Sequence, residues 1–387
     1  MKILILGYGI SGKAIDKFLL KRNIIASIYD ENYPPLGRFF NYSRLSSLLP
    51  QFDICIRSPG ITKINKAYYL ASALSKKVVS ELEFSLMFIK SKHLIGVTGS
   101  NGKTTTCQMI NHFLKDKYNT YFLGNNGYPL IDKVEEINEE DIVIIEISSF
   151  MLEDTSSIKL ETAIITSLCE NHLNQTYDYQ TYLSYKKRIC YFCNDIITNC
   201  KVSQILNIPY NDKRINVDKF KNYISKTNLL NVENAIRCVF KYGIKEDDII
   251  PKLKTFKLDK FRQEVVHIYN DITFVNDSKS TTIDSTNMAI DEFDNKPIIL
   301  ILEGILKSRD LDYLKIDKCL KVYCYGEIGK HIKYASQKNT LEEILKDIKN
   351  KYDYCNVLFS PIGASFDLYS SYIERGEHFN KLVKEIW

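Results

Sequence analysis

Gly96-Val97-Thr98-Gly99-Ser100-Asn101-Gly102-Lys103-Thr104-Thr105-Thr106 is the most informative stretch of this 387-residue chain. It follows the apolar pair Leu94-Ile95 and opens a helical pattern, so it reads as a strand-to-helix turn. Glycines let backbone N–H groups approach phosphate oxygens closely, and the helix start adds the positive end of a dipole. Lys103 is placed to neutralise β- and γ-phosphate charge, and a hydroxyl at Thr104 or Thr105 to bind Mg2+. One departure stands out. The usual nucleotide loop has four residues between its first glycine and Gly-Lys, whereas five, Val97 to Asn101, separate Gly96 from Gly102.

Upstream, Ile3–Leu6 reads as a strand, Lys13–Lys21 as a helix, and Ile24–Tyr29 and Asp53–Ile56 as further strands. Between the first strand and helix lies Gly7-Tyr8-Gly9-Ile10-Ser11-Gly12, a GxGxxG turn, and Asp30 ends the next strand. On its own this turn suits a nicotinamide dinucleotide with Asp30 on a ribose. Beside a second phosphate loop it equally suits a nucleotide-sugar diphosphate, because a helix end recognises pyrophosphate without regard to the base. Downstream, a strand begins at His93, and Asp141–Ile147 and Ala163–Ser167 read as buried strands. A long stretch of mixed polarity follows to about Thr255. Then come Ile272–Val275, Pro297–Leu302, Val322–Tyr325 and Asn356–Phe359 as strands, and Leu341–Lys349 as a helix. The alternation predicts an α/β protein of three units, near 1–90, 91–257 and 258–387.

Composition narrows the function. Hydrophobic residues make up 45% and charged residues 26%, so ordinary cores can form. The 52 basic and 47 acidic residues leave a net charge of +5 spread along the chain, which does not argue for nucleic acid. No apolar run reaches the ~18 residues of a membrane span. Met1–Leu6 runs straight into a glycine turn with no small-residue cleavage site, so a cytoplasmic location is expected. The ten cysteines form no framework, and Cys190-x-x-Cys193 has no second pair to complete a zinc site.

Two further segments carry chemistry. Asp141–Glu146, followed by Ile147-Ser148-Ser149-Phe150-Met151-Leu152-Glu153, is a buried strand ending in an acid, the kind of group that holds Mg2+ beside a phosphate loop. A second strand leads to His172 and Asn174, and then to Tyr182-x-x-x-Lys186-Lys187. The loop Thr98–Thr105 resembles the ATP loop of the Mur ligase superfamily, which includes folylpolyglutamate synthases. Glu146-Ile-Ser-Ser-Phe-Met-Leu-Glu153 resembles the signature of its D-glutamate-adding branch. Asn276-Asp277-Ser278-Lys279-Ser280-Thr281 and Ser360-Pro-Ile-Gly-Ala-Ser365-Phe366-Asp367 resemble later motifs of that branch, in the same order. The likeness runs from Gly7 to Gly376 and is weakest at about 190–228.

That resemblance implies a three-domain fold. It comprises a Rossmann-like N-terminal domain for a UDP-sugar, a central P-loop ATPase-like domain with a parallel sheet, and a C-terminal Rossmann-like domain for an amino acid. It implies ATP contacts from Gly99, Ser100, Asn101, Gly102, Lys103, Thr104, Thr105, Asn231, Arg262 and Asp277. The UDP-sugar would meet Gly9, Ile10, Ser11, Asp30, Ser58, Gly60, Asn125 and Ser148. D-glutamate would meet Lys279, Thr281, Lys307, Ser365, Phe366 and Tyr372. Mg2+ would be held by Thr104, Glu146, His172 and Lys186, the last carbamylated by CO2, with Lys187 as its near competitor. Lys103, His172 and Lys186 would be catalytic. The substrates implied are ATP, UDP-N-acetylmuramoyl-L-alanine and D-glutamate, handled by a monomer with no nucleic-acid or membrane partner. The sequence departs from the branch at Asn174 (usually Asp), Leu230 and Phe261 (usually His), and Glu303 and Ser308 (usually Gly). Rival readings are a folylpolyglutamate synthase, which would lack the N-terminal GxGxxG domain, and a nucleotide-regulated binding protein without catalysis.

Overall fold

The computed structural model describes residues 1–169, 178–210, 215–293, 295–306 and 311–387. Strands β1 (Ile3–Leu6), β2 (Ser27–Tyr29), β3 (Phe39–Phe40), β4 (Ile54–Arg57) and β5 (Val78–Ser80) form a parallel sheet in the order β3-β2-β1-β4-β5. All four residues of β1 and of β4 are buried, as expected of strands covered on both faces. The order reverses between β1 and β4, so a crevice opens at their carboxyl ends.

A second parallel sheet contains β6 (His93–Thr98), β7 (Thr120–Gly124), β8 (Ile142–Glu146), β9 (Leu160–Ile165) and β10 (Cys193–Ile197), ordered β10-β9-β6-β8-β7. Its central strand, β6, delivers the chain into the loop at Gly99. These two sheets belong to one compact unit drawn from residues 1–256. A buried guanidinium helps to join them. Arg57, fully buried at the end of β4, donates to Asp154 Oδ2 (2.6 Å), Phe150 O (2.6 Å) and Ile61 O (2.7 Å), with Glu153 at 3.3 Å.

The other unit holds residues 257–387 and 221–229. Strands β11 (Glu264–Tyr269), β12 (Asp271–Asn276), β13 (Ile298–Glu303), β15 (Cys319–Cys324), β16 (Ser336–Gln337) and β17 (Tyr354–Ala364) run β11-β12-β17-β13-β15-β16. The short β14 (Ile305–Leu306) pairs with β17; β11 and β14 are antiparallel and the rest parallel. Phe274, Val357, Phe359 and Phe379 sit in one apolar layer against this sheet, and Leu300, Leu302 and Leu358 in the other.

Every strand and helix expected from the sequence is present, with ends shifted by a few residues. Strands β3, β5, β7, β10, β11, β14 and β16 were not expected. They are short or partly exposed, so they lack the apolar runs that marked the others. All ten cysteines are free. Among the described residues no helix is long and apolar enough to cross a membrane.

Replacing Arg57 by Ala takes the buried guanidinium away from Glu153 and Asp154, leaving Asp154 with Lys63 and Tyr68 alone. It should lower the stability of the first unit by about 3–5 kcal/mol, read from guanidinium unfolding curves.

Candidate functional site

The helix Lys103–Leu114 starts on Gly102, whose φ of +83° lies in the left-handed region. A side chain there would also collide with Asn231, its Cβ falling 2.3 Å from Oδ1. Gly102 offers no side-chain cap, and neither does Gly9 before the helix Ile10–Leu20. Ser80, Asp178, Thr340 and Ser371, by contrast, cap their helices. At the two glycine turns, then, no side chain of the helix start competes with an anion for the first N–H groups. Lys103 Nζ folds back over the loop, donating to Gly99 O (2.8 Å) and Ser100 O (2.9 Å). The loop is pinned from below: Ser100 N donates to Ser167 O (2.8 Å), Asn101 N to Ser167 Oγ (2.9 Å), and Ser100 Oγ meets the Tyr182 hydroxyl (2.8 Å). Thr104 and Thr105 are buried on the first turn. Asn231 reaches the same turn from the helix Leu229–Val239 and accepts from Thr106 Oγ1 at 3.4 Å.

Two of the expected metal groups converge here. Glu146 ends β8 opposite Val97 of β6. Its Oε1 accepts from Asn125 Nδ2 (3.0 Å), while its buried Oε2 has no hydrogen-bond partner. A buried, unpaired carboxylate oxygen beside a phosphate loop fits a hard divalent cation. Lys186, buried on the helix Tyr179–Lys187, donates to Gly99 O (2.9 Å) and Thr98 Oγ1 (3.3 Å). Its competitor Lys187 is half-exposed, so Lys186 is the one of the pair that is buried against the loop. His172 lies outside the described residues. Among those described, no cluster of three or more His, Cys, Asp or Glu could hold a metal.

At the crevice of the first sheet lies a cavity of about 400 Å³. Gly9, Ile10, Ser11, Asp30, Ser58, Gly60 and Asn125 all line it. Asp30 shapes the glycine turn directly, accepting from Tyr8 N (2.8 Å) and Asn32 N (2.9 Å). Ser58 Oγ donates to Gly7 O (2.8 Å). Ser148 does not line the cavity. Its hydroxyl accepts from Met151 N (3.3 Å), since the short helix Ser149–Leu152 needs a cap. Sequence reasoning missed Tyr8, Glu81 and Met151 on the cavity wall. Glu81 is buried and its carboxyl is pushed up to about 7 by loss of water. No signal marked it in the sequence, because the strand before it, β5, is too short to show an apolar run.

In the second unit Asp277 is buried, accepting from Ser360 Oγ (2.8 Å) and Gln263 N (3.2 Å). Burial pushes its carboxyl up to about 6, opposed by these bonds and by Arg262 nearby. Arg262 Nε is buried without a partner, a donor left for a ligand. Lys279 lies over the Tyr372 ring (5.4 Å) and pairs with Asp259 (3.1 Å). Thr281 is half-buried and Ser365 buried, whereas Phe366 is 72% exposed. Lys307 lies outside the described residues. Phe261, in place of the resembled histidine, is buried with φ +65°. Its ring lies where a Cβ at Gly376 would stand, 2.4 Å away, so Gly376 is the partner that admits it.

A sheet ordered 2-3-1-4-5 whose first strand feeds an uncapped, lysine-bearing helix start defines a P-loop-type nucleotide-binding enzyme. Residues 97–275 match the Mur ligase middle domain. A UDP-N-acetylmuramoylalanine–D-glutamate ligase of Petrotoga mobilis is 33% identical, with 100% of each chain covered. One of Francisella philomiragia is 29% identical, covering 100% of this chain and 97% of its own. MurF ligase from Thermotoga maritima, solved in complex with ADP, shares the fold with a TM-score of 0.62 at 15% identity, over 88% of this chain and 97% of its own. The chain belongs to the Mur ligase family, in its D-glutamate-adding branch.

Gly102→Ala forces a side chain into left-handed backbone and against Asn231. Its affinity for a fluorescent ATP analogue should fall at least about tenfold, the equivalent of 1.4 kcal/mol, while the circular dichroism spectrum stays unchanged.

Proposed function

We propose that this chain joins D-glutamate to UDP-N-acetylmuramoyl-L-alanine, driven by ATP, in peptidoglycan precursor synthesis. The observation that carries the reading is the convergence of Lys103, Lys186 and the unpaired Glu146 oxygen on one glycine-lined helix start. A cavity holding seven of the eight expected UDP-sugar residues lies in the same unit. The N-terminal sheet with its GxGxxG turn is the domain a folylpolyglutamate synthase would lack, so that rival is not favoured.

A carboxylate is a poor electrophile because its charge repels nucleophiles. An oxygen of the alanine carboxylate attacks the γ-phosphorus, the bond to ADP breaks, and an acyl phosphate forms. The D-glutamate amine then attacks the acyl carbon, phosphate leaves, and the amine gives up a proton. Lys103 and the loop N–H groups would bind the transferring phosphoryl group and offset its charge. Asp277 would hold the ATP ribose and Arg262 its phosphates or adenine. Lys279, Thr281, Ser365 and Tyr372, with Lys307 and Phe366, would orient the amino acid. Glu146, with Thr104 and His172, is suited to hold Mg2+, which supplies charge neutralisation when bound. Carbamylation of Lys186 would turn its buried cation into an anion suited to the same role. Such an enzyme would act as a cytoplasmic monomer supporting wall growth, cell shape and division.

Phosphate release from ATP should require both UDP-N-acetylmuramoyl-L-alanine and D-glutamate. L-glutamate should not replace D-glutamate, and Lys103→Ala should abolish the reaction. Release without dependence on both substrates overturns the assignment. Carbamylation has its own readout: 13C-bicarbonate should add one carbamate resonance to the NMR spectrum, lost in Lys186→Arg.

A further inference from the structure

Glu303 stands where the resembled loop has glycine, and it is fully buried at the end of β13. Its Oε2 accepts from Arg375 Nη1 at 2.5 Å. Arg375, equally buried, also donates to Gly363 O (3.0 Å), Ser278 Oγ (3.0 Å) and Ser278 O (2.7 Å). One guanidinium thus ties the ends of β12, β13 and β17, whose continuations carry Asp277-Lys279 and Ser365. The remaining oxygens do not balance. Asp367 is a close neighbour: a Cβ built at Gly326 would lie 2.7 Å from Asp367 Oδ2 and 3.7 Å from Glu303 Cγ. Glu303 Oε1 is buried with no donor, and so is Asp367 Oδ1. The other Asp367 oxygen accepts from Glu327 N (2.9 Å). With both acids ionised, two neighbouring carboxylates share the single charge of Arg375 and two buried acceptors go unmet, a costly arrangement. A single proton between the two acids removes both defects and leaves the cluster neutral.

We propose that Glu303 holds a proton and donates it to Asp367, and that this acid pair, clamped by Arg375, is a positioning element for the strand ends that bind the amino acid. The proposal rests on the reading of this unit as the amino-acid-binding one. Burial holds the Glu303 carboxyl up to about 8, against the pull of Arg375. The other titratable groups facing the cluster are the hydroxyls of Tyr325 and Tyr369, 3.2 Å apart, and His378, whose Nδ1 meets Tyr369 at 2.8 Å. Folded Glu303 keeps its proton up to about 8, whereas an unfolded carboxyl releases it near 4.5. The folded state therefore binds more protons across that window, and this contribution to stability declines as pH rises through it.

Glu303→Gln tests the pair, because an amide N–H donates to Asp367 at every pH while its oxygen still accepts from Arg375. Melting temperatures of wild type and variant, measured across that range, should diverge: wild type loses ground as pH rises to about 8, then runs parallel. In ligase assays the wild-type KM for D-glutamate should climb above pH 8 and that of Glu303→Gln should stay flat, with similar kcat. Glu303→Ala should raise KM about tenfold or more at every pH, the loss of a buried charged hydrogen bond. Identical pH curves for wild type and Glu303→Gln, in melting or in KM, overturn the proton held by Glu303. The melting comparison judges the pair even in a protein that shows no ligase activity.

Discussion

Uncapped N–H groups at the start of the helix Lys103–Leu114 are the constraint on which the rest of this molecule depends. A helix start without a side-chain cap is costly unless an anion or water meets it. Here the left-handed Gly102 removes the cap and opens the approach. Everything around the loop then serves to hold that bare turn in place. Ser167 anchors its backbone, Tyr182 meets Ser100, and Asn231 closes over Gly102. The two lysines that bond the Gly99 carbonyl bring positive charge to the place where phosphate would sit.

Buried guanidinium groups recur as fasteners. Arg57 binds the end of β4 to the segment Phe150–Asp154, and Arg375 binds three strand ends in the other unit. Each has a rigid planar fork of five donors that satisfies several acceptors at once, where lysine offers three on a flexible stem. Such clusters are stable only when every partner is present. The substituted Glu303 fits this logic. A glycine at that position would leave Arg375 without its carboxylate, so the departure from the resembled loop has a local partner. Phe261 and Gly376 show the same pairing of one departure with a neighbour that accommodates it.

Much of the site was legible in residue order. The strand-to-helix turns at Gly7–Gly12 and Gly96–Lys103, the acid closing β8, and the strands that carry them follow from short-range patterns of apolar runs and glycines. Seven residues assigned to one ligand do meet at one cavity. Ser148 stands apart from those seven, its hydroxyl serving as a helix cap for Met151 N. The reading passed over Glu81 and Tyr8, which become wall residues only when separate segments close on one another.

The chain's own order of residues determined its α/β class, the two phosphate-type turns and the branch it resembles, because backbone conformation at glycines and helix starts is a local property. Only the tertiary structure decided which lysine of the 186–187 pair reaches the loop, which Glu146 oxygen is unpaired, and what Glu303 bonds to. Those outcomes depend on burial and on partners distant in sequence, such as Asn125 for Glu146 and Arg375 for Glu303. Water removal and long-range pairing set them, and neither is written in any single segment.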